Sequence, residues 1–87
     1  MVIKLKGAQV NAGTSTGNGS NLDLATLVLV QNITANTHLV TLEDADAVLI
    51  GSFNIPPNQN IRLVKSPLDE IFAANAGVKL TPIGFSA

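Results

Sequence analysis

His38 is the only histidine in the chain, and so the only side chain that ordinarily exchanges a proton near neutral pH. A catalytic histidine needs a nucleophile or a carboxylate beside it. The sequence has no cysteine and no Gly-x-Ser-x-Gly elbow, so His38 is expected as a partly covered strand residue. Glu43, Asp44 and Asp46 offer oxygens to a hard cation such as Ca²⁺. A full cation loop adds ligands at fixed spacing and a closing Glu, but here Ala47, Val48, Leu49 and Ile50 follow. The acidic group is expected as a solvated turn, or as a rim contact for basic residues on a neighbour. The run from Gly13 to Gly19 is glycine-rich but lacks the Gly-Lys-Ser/Thr ending of a phosphate loop. Asn18-Gly19-Ser20 and Asn32-Ile33-Thr34 match the glycosylation acceptor pattern, which means little without a signal peptide. No catalytic, metal or cofactor site assembles from these residues, and the chain reads as a protein without enzymatic activity.

What remains is a question of surface. The chain has 87 residues, enough for one domain over 1–87. A chain of that length buries only about 60–65% of its unfolded surface, so its core is thin. Only three residues are aromatic, all Phe, so that core must be aliphatic. Charged residues make up 13%, against roughly 25% in an average soluble domain. Either uncharged polar residues cover the outside, or other chains cover part of it. The net charge of −1 and five scattered Lys and Arg argue against nucleic-acid binding. No apolar run approaches the length of a membrane span, and the N-terminus lacks the apolar core of a secretory signal. The expectation is a protein made in the cytoplasm.

The elements that must build such a surface are short strands. Leu24 to Val30 is the central one: Leu27 to Val30 is apolar at every position, and Thr26, Val28 and Val30 are β-branched. A strand there, from about Ala25 to Ile33, should be covered on both faces. Before it, Val2–Lys6 alternates Ile3 and Leu5 with Lys4 and Lys6, an edge-strand pattern. Residues 7–21, rich in Gly, Ser and Asn, read as a flexible loop or as an arm ordered by a partner. After the central strand, Thr34–Thr37 reads as a hairpin connection and His38–Leu42 as the next strand. Ala47–Phe53 is a strand in which Gly51 suggests a bulge or a close backbone approach. Pro56–Asn60 is a loop, Ile61–Lys65 a strand, and Ser66–Glu70 a turn or one short 3₁₀ piece. Ile71–Ala74 and Val78–Phe85 complete the set, with Pro82 placing the second half of the last strand on an edge. About seven short strands at spacings near ten residues predict an all-β fold, a small antiparallel β-sandwich or barrel.

From His38 onward the order of parts is His38-Leu39-Val40-Thr41-Leu42-Glu43-Asp44, then Ile50-Gly51-Ser52-Phe53. Ile61–Ala73 and Val78–Ile83 follow. With the Gly/Ser-rich stretch ahead of a Val-rich strand, this order resembles small virion structural proteins of tailed bacteriophages, including capsid decoration and cement proteins. The resemblance implies a structural protein of the virion that stabilises the shell by binding major capsid subunits, with homo-oligomers in the particle. It leaves a tail or neck ring component open as an alternative. A carbohydrate-binding or adhesion module ranks lower, since sugar rings stack on Trp or Tyr and there are none. Under this reading the partner-binding candidates are Val2, Ile3 and Leu5 in the first strand and Ile83 and Phe85 in the tail. Both segments would act as arms that add to neighbouring sheets.

Overall fold

The computed structural model describes residues 2–86, the last two by their backbone alone. Eight strands follow one another: β1 Val2–Leu5, β2 Val10–Asn11, β3 Leu27–Asn32, β4 His38–Glu43, β5 Leu49–Ile55, β6 Asn60–Val64, β7 Glu70–Ala73 and β8 Val78–Ser86. The fold is all-β, with every strand pairing antiparallel and no helix among the described residues. One sheet has the order β1-β8-β3-β6, with β2 also on β8; the other has the order β5-β4-β7.

β3 sits inside the larger sheet, paired with β8 on one side and β6 on the other. Alternate residues point to opposite faces, so Val28 and Val30 are fully buried while Leu27 and Leu29 are half-buried. The expected double coverage is thus only partial: the inner face is sealed and the outer one shaded. Val28 and Val30 join Val40 of β4, Ile55 of β5, Ile71 of β7 and Leu80 of β8 in one aliphatic cluster drawn from both sheets. Fully burying one such side chain stabilises by about 1.5–3 kcal/mol.

Thr34–Thr37 does not close a hairpin, because β3 and β4 lie in different sheets. The reason is Asn32, 1% exposed at the end of β3. Its Nδ2 donates to the carbonyls of Asn36 (2.7 Å), Ile55 (3.0 Å) and Pro56 (3.2 Å). Its Oδ1 accepts from the Thr34 amide (2.9 Å) and hydroxyl (2.7 Å). One side chain therefore ties the end of β3, the crossover and the end of β5 together.

The stretch 7–21, expected to be loose, is stitched across both sheets by this chain itself. β2 pairs Val10 with Leu80 and Asn11 with Lys79, and the buried Ala12 donates its amide to the Val78 carbonyl (2.9 Å). Further on, Gly13 and Ser20 bridge to the outer edge of β7. Ser20 and Ile71 exchange amide bonds of 3.1 and 2.9 Å, and the Ala73 amide donates to Gly13 O (2.9 Å). Apolar content too low to order a segment by burial is offset here by backbone pairing.

That stretch enters β3 through a backbone of the wrong hand. Leu22, Asp23 and Leu24 all have positive φ (55°, 57° and 64°), so Leu24 belongs to a left-handed turn and not to the strand. This conformation costs an L-residue roughly 1–2 kcal/mol. Burial of Leu22 offsets part of it, as do amides donated by Leu22 to Ser20 Oγ (3.0 Å) and by Ala25 to the carbonyls of Asn21 and Leu22.

The bulge suggested by Gly51 is present. Leu42 faces Gly51 while Glu43 faces Leu49, which leaves Ile50 as the extra residue. Pro82 acts as its chemistry requires. The Lys6 amide donates to Pro82 O (3.0 Å), and Pro82 has no N–H to return. The β3 ladder ends at Val28 opposite Pro82, and beyond it β8 pairs with β1.

Candidate functional site

The acidic group comes apart in three dimensions. Glu43 is not in a solvated turn; it ends β4 at 2% exposure. Its carboxylate accepts from the Thr16 hydroxyl (2.8 Å) and the Gly17 amide (3.1 Å), which anchors the tip of the glycine-rich stretch. Asp44 folds the following turn, with Oδ1 accepting the amides of Asp46 (2.9 Å) and Val48 (3.0 Å). Ala47 takes a positive φ of 61° to close it. These oxygens are committed to the chain's own loops. Burial of a charge-bearing group is tolerable only where its hydrogen bonds are met, and the fold meets them at Glu43.

Lys65 shows the same logic with opposite charge. It follows β6 at 5% exposure, and its Nζ donates to the carbonyls of Ser66 (3.2 Å) and Pro67 (3.3 Å). Burial pushes its ammonium below the ordinary lysine value, while Asp69 and Glu70 pull the other way. His38 opens β4 opposite Ile55, and its Nε2 is buried without a hydrogen-bond partner among the described residues. A shallow cavity of about 370 Å³ lies beside the left-handed turn, lined by Lys6, Asp23, Thr26, Pro82 and Ile83 among others. His38, Lys65 and the acidic turn are not among the residues that line it.

The geometry that stands out is apolar and lies at strand edges. Among the described residues, twelve large aliphatic side chains are at least 40% exposed. Val2, Ile3 and Leu5 are three of them, and all four residues of β1 are exposed. The tail does not form a second arm. β8 pairs Ile83 with Leu5 and Phe85 with Ile3 along β1, because its backbone groups find partners there. Ile83 is 2% exposed, which turns it from a contact candidate into a core residue. The side chain of Phe85 and the whole of Ala87 lie outside the described residues. So the chain brings its two candidate segments together as one ladder, with β1 outermost.

A second exposed apolar edge carries no candidate from the sequence reading. Val48, Leu49 and Ile50 are exposed in succession where β5 begins, and β5 is an outer strand of the smaller sheet. A signal was available: no charged residue lies between Asp46 and Arg62. From the sequence, Ala47–Phe53 reads as a strand with no contact surface assigned to it. No family model, no curated protein and no solved structure matches this chain.

Proposed function

We propose that this protein is a structural subunit that works by adhesion to other chains, and that it is a virion protein of a tailed bacteriophage, of the capsid cement or decoration type. The supporting observation is the exposed aliphatic surface: twelve large side chains face solvent on a chain with 13% charged residues. Surface of that kind gains stability when another chain dries it. The buried polar side chains fit the same reading, since the hydrogen bonds of Glu43, Asn32 and Lys65 go to groups of their own chain. The assignment to a phage virion comes from the resemblance set out above, with a tail or neck ring component as the alternative to the head. β1 is the surface offered to the major capsid protein, with Val2, Ile3 and Leu5 as its contacts. Many weak contacts repeated over a shell add up to firm attachment.

Imaging of particles with and without the protein tests the reading. Added density at regular sites on the head supports it. A dilute, stable monomer that ignores empty capsids overturns it.

A further inference from the structure

We propose that the open edge of β5 pairs with the β5 edge of a second copy of this chain, antiparallel about a two-fold axis. Besides the two-residue β2, four strands lie at sheet edges, and they are treated differently. β1 carries Lys4 and is followed by Lys6, while β6 carries Arg62 and is followed by Lys65. Charges on an edge discourage pairing. The outer side of β7 is occupied by Gly13 and Ser20. Of these four, β5 alone has neither a charge nor a strand or bridge on its outer side among the described residues.

The register follows from which backbone groups face outward. The carbonyl of Leu39 accepts the Ala74 amide on the β7 side (2.9 Å). In an antiparallel ladder, Leu39 and Thr41 then bond away from β5, and their opposites Asn54 and Ser52 present N–H and C=O to the open side. A two-fold partner engages both residues in both copies when Ser52 faces Asn54 of the second copy, with the axis at Phe53. Centring on Asn54 instead would set Ser52 against Pro56, which has no N–H. Centring on Ser52 would set Asn54 against Ile50, the unpaired residue of the bulge.

The chosen register brings Leu49 and Ile50 toward Pro57 and Pro56 of the copy, apolar against apolar. No like charges meet, because residues 47–61 carry none. A copy of this strand is therefore a compatible occupant, and homologous pairing closes as a dimer rather than propagating. The proposal deepens the assembly reading and rests on it in one respect, that other chains cover the apolar surface. Its test needs no particle, so either can fail while the other holds.

Sedimentation of the purified chain across a concentration series reads the association directly. A monomer–dimer equilibrium is expected for the native sequence. Ser52→Pro removes an N–H that bonds nothing within the chain. It should weaken the dimer about thirtyfold, through one lost amide bond from each copy, with the circular dichroism of the monomer retained. Ser52→Thr should leave association unchanged. Asn54→Lys, which keeps every backbone group, should weaken the dimer more at low salt than at high salt, because one lysine from each copy approaches the axis. A native chain that stays monomeric up to about 1 mM overturns the proposal. So does a dimer indifferent to both Ser52→Pro and Asn54→Lys.

Discussion

β5 and β7 flank the same strand, β4, in the same sheet, yet the chain treats them in opposite ways. The β7 edge is closed by backbone from the glycine-rich stretch, and Glu43 at the end of β4 pins the tip of that stretch. The β5 edge is left bare, with Leu49 66% exposed at its start. A polar, low-complexity segment can satisfy an edge because pairing uses main-chain groups that every residue except proline carries in full. It cannot cover aliphatic side chains, since it has few of its own. Among the described residues, the chain thus closes one edge of this sheet with its own backbone and leaves aliphatic side chains exposed at the other.

The largest effect should come from severing the tie between the end of β3 and the end of β5. Asn32→Leu leaves the carbonyls of Ile55 and Pro56 and the Thr34 groups without their partner. A loss of about 3–5 kcal/mol in urea unfolding is expected, enough to unfold a marginal domain. Glu43→Ala breaks the closed edge alone. It should cost about 1–3 kcal/mol and speed hydrogen exchange at the Ser20 and Ala73 amides, with the β4–β5 ladder less affected. Exchange that rises equally on both sides would show that the two edges are not separate in the way described.

Leu24→Gly sharpens the contrast in the other direction. Leu24 is 54% exposed at a φ of 64°, so glycine gives up little burial and removes the left-handed penalty. The closed side should gain about 0.5–1 kcal/mol, visible as a higher urea midpoint. The smallest effect on stability is expected where the surface is already bare. Leu49→Ser with Ile50→Ser should change unfolding free energy by less than about 0.5 kcal/mol. The same pair should lower retention on hydrophobic resin, and a large loss of stability would mean that these side chains serve the monomer.

Much of the strand plan was readable because alternation is a local property. Ile3 and Leu5 against Lys4 and Lys6, the bulge at Gly51, and the punctuation by Pro56 and Pro57 all act within a few residues of themselves. The candidate surface was half readable. Val2, Ile3 and Leu5 do face outward, whereas Ile83, which alternates no differently, is buried. Asn32 looked like a chance glycosylation match and Glu43 like part of a solvated turn. Each became a buried anchor because segments remote in sequence, at Ile55 and at Thr16, come to meet it.

The order of residues alone determined that this chain forms short strands, carries an aliphatic core and has little charge to clothe its outside. Those follow from side-chain volume, branching and period-two burial, which each residue brings with it. Tertiary structure decided which strand lies beside which, that the glycine-rich stretch closes β7, and that β5 stays open. Backbone amides and carbonyls are nearly alike in every residue, so the sequence does not mark which of them will pair. Only the assembled core, by fixing where each strand lies, makes that choice.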